Sequence, residues 1–124
     1  MRSQLPWFAA MLVASSLFVS AVRANVLRVV VVQPSDLPGY VKQLELGQAL
    51  QKKLGSQGTI RVWRARYAGD LTGRVVVTIE YPDLAAFAAD DMKLSASPEY
   101  QAWLHGLDQY RKIISDSLYD GLTP

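Results

Sequence analysis

Two runs of strand-favouring residues flank a short polar turn between Thr59 and Tyr81 (TIRVWRARYAGDLTGRVVVTIEY), and the rest of the chain can be placed around them. Residues 59–67 and 74–81 alternate, and Ala68-Gly69-Asp70-Leu71-Thr72-Gly73 between them supplies turn formers, so the stretch predicts an antiparallel hairpin. Side chains alternate along a strand. Trp63, Ala65 and Tyr67 therefore point one way, and Ile60, Val62, Arg64 and Arg66 the other. In the second strand Val75, Val77, Ile79 and Tyr81 share a face opposite Arg74, Val76, Thr78 and Glu80. A register with Tyr67 across from Val75, or slipped by two, joins the aromatics to the valines as core. It gathers Arg64 and Arg66 with Thr78 and Glu80. A slip by one would place both arginines among the valines, at a burial cost that selects the first register.

The flanking segments read as helices and two more strands. Val26 to Val32 is an apolar, β-branched run interrupted only by Arg28, and it predicts a strand covered on both faces. After Gln33-Pro34, Ser35 or Asp36 can cap a helix with Pro38 in its first turn. Leu37, Val41, Leu44, Gly47, Leu50 or Gln51, and Leu54 form its apolar stripe, and Gly55 closes it. Gly47 inside that stripe implies a close approach by helix and sheet. Pro82-Asp83 starts a second helix with Leu84, Phe87, Ala88 and Met92 inward and Asp90 and Asp91 on a solvated face. Ser97-Pro98-Glu99 starts a third, striped by Tyr100, Trp103, Leu104 and Leu107. Arg111 to Tyr119 is the last strand, with Ile113, Ser115, Ser117 and Tyr119 opposite Ile114, Asp116 and Leu118.

The order is β-α-β-β-α-α-β. It predicts an α+β, ferredoxin-like split βαβ fold: a four-stranded antiparallel sheet with helices on one face. The other face, with Ile60, Val62 and Val76, is too apolar to stay wet.

The first 24 residues stand apart from this domain. Arg2, the apolar run Leu5 to Val22, and Val22-Arg23-Ala24 have the three-part layout of a secretory signal peptide. Residues 1–24 are thus expected to be a leader cleaved after Ala24, rather than a retained anchor, with 25–124 as the exported domain, periplasmic or secreted. The leader carries Arg2 and Arg23, so 11 basic residues remain of 13, against 11 acidic ones, and the mature charge is zero. That balance argues against a nucleic-acid partner, and no membrane partner is expected once the leader is gone. With no cysteine, thiolate catalysis and thiolate metal sites are excluded. One histidine and scattered carboxylates offer no metal-ligand spacing.

Three segments, GTIRVWRARYAGDLTGRVVVTIEYPDLAAF, SPEYQAWLHGL and RKIISDSLYDGL, resemble the dimeric α+β barrel superfamily in layout, in particular its antibiotic-biosynthesis-monooxygenase-like group. The resemblance implies a homodimer with open sheet faces brought together, and a small organic molecule in the lumen or in a helix-to-sheet cleft. Members of that superfamily include cofactor-free monooxygenases, haem-degrading enzymes, dehydratases and proteins with no assigned activity, so the fold does not fix the function.

Two candidate sites follow. His105, the only histidine, could serve as a general base or, as the haem-degrading branch implies, as an axial ligand. Its position off the Tyr100, Trp103, Leu107 stripe reads as a rim residue, and Trp63 and Trp103 read as core aromatics. Arg64 and Arg66, with Glu80 and Thr78, could grip a carboxylate by paired hydrogen bonds, unless Asp116 turns inward and cancels the surplus charge. The sequence therefore points to an exported homodimer that binds a small anionic or aromatic molecule, or simply assembles, without a cofactor and without chemistry. The alternative is a cofactor-independent monooxygenase-like enzyme acting on a small aromatic substrate, followed by a haem-binding or haem-degrading protein.

Overall fold

A computed structural model describes residues 25–123; the leader segment lies outside them. The element order is β1 (Val26–Pro34), α1 (Leu37–Lys53), β2 (Thr59–Arg64), β3 (Val75–Tyr81), α2 (Leu84–Ser95), α3 (Pro98–Gly106) and β4 (Arg111–Asp120). The four strands form one antiparallel sheet in the order β2-β3-β1-β4. All three helices lie on one face. This is the ferredoxin-like arrangement that the alternation predicted. No described helix is long and apolar enough to cross a membrane.

Local chemistry places the helix ends. Asp36 Oδ1 accepts from the Gly39 amide at 3.2 Å, Asp83 Oδ1 from Ala86 at 2.7 Å, and Ser97 Oγ from Tyr100 at 3.2 Å. Each occupies an otherwise unpaired amide of a first turn. Gly55, at φ +80°, ends α1 in the left-handed region that other residues enter at a cost.

The core lies between the sheet and the helices, built from Val30, Val32, Tyr40, Leu44, Val75, Val77 and Leu107. Gly47 is packed under Trp103, and a Cβ there would overlap the indole. The close approach expected at Gly47 is therefore helix to helix, not helix to sheet. Trp103 is held there by its Nε1, which donates to the Gln43 carbonyl at 3.0 Å.

Three expectations are corrected. The hairpin takes the register rejected on burial grounds: Val62 pairs with Val77, Ile60 with Ile79 and Arg64 with Val75. The argument against it assumed a strand reaching residue 67. Because β2 ends at Arg64 on the sheet edge, that guanidinium reaches solvent and donates to the Gly73 carbonyl at 3.3 Å. Ile60 and Val62 thus turn toward α1, while Trp63 lies on the open face, 51% exposed, and is not a core residue.

In α2 the inward residues are Ala86, Asp90 and Leu94, with Leu84 and Met92 exposed. Asp90 is buried, not solvated. Its Oδ2 accepts from the Ser56 hydroxyl and, at 2.9 Å, from the Gln57 amide, which ties the α1–β2 loop to α2. In β4 a bulge interrupts the alternation: Val31 pairs with Ser115, but Val32 pairs with Ile113. Ile114 is the extra residue.

Candidate functional site

The bulge decides what lines the cavity between the sheet and α3. Strict alternation would put Arg111 and Ile113 on the opposite face from Asp116. One extra residue at Ile114 brings all three to the helix-covered face, since Arg111 pairs with Pro34, Ile113 with Val32 and Asp116 with Val30. The cavity, about 310 Å³, runs between this face and α3. Leu44, Val77, Ile79, Trp103, Leu104 and Leu107 belong to its apolar wall, and its polar groups are Arg28, Gln51, Tyr100, Gln101, His105, Asp108, Arg111 and Asp116. A concave site in which an apolar wall meets convergent polar groups can hold a small molecule, and about half of the groups lining this one are polar.

The polar groups divide into a satisfied pair and an unsatisfied set. Arg28 grips Asp116 through two hydrogen bonds, Nε to Oδ1 at 3.0 Å and Nη2 to Oδ2 at 2.7 Å. This paired geometry suits a planar guanidinium and a carboxylate. The hydrogen bond from Arg28 holds the Asp116 carboxyl below its ordinary range against the opposing effect of burial, and the same bond raises Arg28. The two charges cancel.

Arg111 has no such partner. Its Nη1 donates to the Tyr40 hydroxyl at 3.0 Å, its guanidinium carbon lies 5.8 Å from the Tyr40 ring centre, and its Nε is buried with no hydrogen-bond partner. No carboxylate forms an ion pair with it among the described residues. Gln51 Oε1 is the other buried side-chain atom without a partner among those residues. Burial pushes the Tyr40 and Tyr100 phenols up. Arg111 opposes this at Tyr40, and a hydrogen bond with the Gln51 side chain opposes it at Tyr100.

The residues singled out from the sequence are not brought together. Arg64 lies on the helix side of the sheet edge, and Arg66 lies in the exposed turn beyond β2. Thr78 and Glu80 are on the open face, where Thr78 Oγ1 accepts from Trp63 Nε1 at 2.8 Å and Glu80 accepts from Arg61 Nε at 2.8 Å. Asp116 does turn toward the helices, but its partner is Arg28. His105 lies on the exposed flank of α3, at the rim of the cavity. Sequence reasoning missed Arg111, Arg28 and Gln51 as cavity residues. The one signal for Arg111 was its charge at the start of a strand, and the face it occupies depends on a bulge that alternation does not show. Among the described residues no cluster of three metal-ligating side chains exists.

No family model matches the chain, and no curated protein matches it. Its fold is similar to several solved structures. An uncharacterized NIPSNAP domain protein from Burkholderia xenovorans is 19% identical, with a TM-score of 0.57 over 82% of this chain and 94% of that one. A protein provisionally assigned as an antibiotic biosynthesis monooxygenase, from Bacteroides thetaiotaomicron, is 17% identical, with a TM-score of 0.50 over 82% and 90%. A dimeric ferredoxin-like protein from an uncultured marine organism is 11% identical, with a TM-score of 0.50 over 82% and 90%. At such identities the likeness is one of fold, and it agrees with the resemblance drawn from the sequence.

Proposed function

We propose that this is a small-molecule-binding protein whose ligand is a carboxylate held by Arg111 in the cleft between α3 and the sheet. The buried Arg111 Nε carries this reading. A donor removed from water and left unpaired costs about 1–3 kcal/mol, more when its group is charged, and a carboxylate would satisfy both its hydrogen bond and its charge. Tyr40, fully buried, fixes the guanidinium in place, so little ordering remains to be done on binding. Arg28 and Asp116 neutralise each other, and Arg111 has no ion-pair partner among the described residues, Asp108 at the exposed rim included.

A thermal-shift screen of aliphatic and aromatic acids tests this. An acid that binds raises the melting temperature of the parent and not of Arg111→Gln. If no acid shifts the parent, or both respond equally, the reading falls.

Two further elements belong to the same proposal. The protein works as a homodimer closed over its open sheet faces. That face presents Leu27, Val29, Trp63 and Val76 with no helix over them, and a similar solved structure is described as dimeric. Residues 1–24 are a leader, removed after Ala24 on export, and an intact mass beginning at Asn25 in a secreting host would support this.

A monooxygenase-like enzyme is the second reading, favoured by His105 at the rim of the same cavity beside Trp103 and Tyr100. Oxygen consumption on a panel of quinols, lost in His105→Ala while the parent's mass in solution is kept, would move the assignment to it.

A further inference from the structure

We infer, resting on the carboxylate-binding reading above, that the ligand also carries a hydrogen-bond donor at its far end, an O–H or N–H accepted by Gln51. Two residues that line the cavity each carry a buried polar atom without a partner, and the two are of opposite kind: Arg111 Nε donates and Gln51 Oε1 accepts. Gln51 is a polar side chain only 1% exposed, facing an otherwise apolar wall, a position an aliphatic residue would fill at lower cost. Its Oε1 meets no donor among the described residues and is left for one that a ligand brings.

The spacing sets the ligand's form. Arg111 is anchored on Tyr40, and Gln51 follows eleven residues later on α1, about 16 Å of helical rise. The long arginine and glutamine side chains shorten that span. A volume of about 310 Å³ corresponds to about ten waters, enough for one ring and a short chain. The class is therefore a flat monocarboxylate with a hydroxyl or amino group at the opposite end, lying against Trp103, Leu104 and Leu107.

Calorimetric titration of the protein expressed from its full chain decides this, with para-hydroxyphenylpropanoate, phenylpropanoate and the para-methoxy analogue as probes. The hydroxylated acid should bind about tenfold more tightly than the other two, because they leave Gln51 Oε1 buried and unpaired. In Gln51→Leu the three acids should bind alike, with phenylpropanoate as tight as in the parent or tighter.

If all three acids bind the parent equally, for example because a water stays over Gln51, the inference is overturned and the Arg111 reading stands. If the preference survives in Gln51→Leu, the donor is read elsewhere and the inference is again overturned. If none binds the parent while other acids shift its melting temperature, the proposed ligand class is wrong. If no acid of any kind binds, the Arg111 reading fails and this inference fails with it. Should Gln51→Leu not fold, the three-probe comparison on the parent still decides.

Discussion

The two faces of the sheet carry similar charged groups and differ in what they lack. On the covered face Arg28 pairs with Asp116 at 2.7 Å; on the open face Arg61 pairs with Glu80 at 2.8 Å. Behind the first pair stand fully buried Tyr40 and Leu107 and a second guanidinium with no acid opposite it. Beside the second pair stand Leu27, Val29, Trp63 and Val76, with no helix above them. The covered face has shelter and lacks an anion. The open face has its ion pair and lacks a cover. Incomplete charge recognition calls for a small ligand, and incomplete apolar burial calls for a second protein surface, so one sheet supports two kinds of association.

The largest effects should separate the faces. Leu107→Ala removes a core side chain that is 2% exposed, and should cost about 2–5 kcal/mol of unfolding free energy in urea titration. Val76→Asp, on the open face, should leave the fold in place and shift the mass measured by light scattering at micromolar concentration from two chains to one. A parent that is already monomeric in that measurement would remove the dimer from the proposal. A Val76→Asp protein that unfolds would show that the open face is also needed within one chain.

Alkaline pH should act through the covered face. Burial, with help from Asp90, pushes the Tyr81 phenol up to about 12, and burial also raises Tyr40 and Tyr100. The unfolded chain loses these protons near the ordinary value of 10.0, while the folded chain still holds them. Stability is therefore full below pH 10.0 and falls as pH rises toward about 12. Melting temperatures measured across that range should fall steeply for the parent and less steeply for Tyr81→Phe.

The acid limb is the smaller counterpart. The Asp116 carboxyl is held below 3.8 chiefly by the hydrogen bond from Arg28. Its contribution is complete above that value and is lost as pH falls through the lower folded one. Both side chains are 37% exposed, so the loss should be modest, about 1 kcal/mol or less. Asp116→Asn should flatten the acid limb without altering the alkaline one.

How far the sequence carries these contrasts depends on how local each cause is. Caps at Asp36, Asp83 and Ser97, the stop at Gly55, and the Tyr100–Leu107 stripe are set by neighbouring residues, and element order and fold followed from them. Register and facing are not local. Arg64 changed faces because the edge strand stopped before Arg66, and the cost of burying it vanished with the strand. Asp90 was read as solvated because its partners, Ser56 and Gln57, lie more than 30 residues earlier. Arg111 entered the cavity because of one extra residue at Ile114. A candidate site built on alternation alone therefore collected Arg64, Arg66, Thr78 and Glu80, which the fold keeps apart.

The smallest expected effect is the most discriminating between the two faces. Within one chain the Arg61–Glu80 pair is exposed at its arginine, 56%, and half-covered at its glutamate, 26%. Glu80→Gln should then change monomer stability by less than about 1 kcal/mol. If two copies close over this face, the same pair is taken out of water, and losing one partner leaves an unpaired guanidinium inside the barrel, at a cost of several kcal/mol. The effect of Glu80→Gln should accordingly grow with protein concentration, small in the dissociated chain and large where the parent is dimeric. The corresponding change at Asp116, enclosed within its own chain, should not depend on concentration. Chemical denaturation of both variants at two widely separated protein concentrations checks this, and a Glu80→Gln effect that stays constant would mean the open face remains in contact with water.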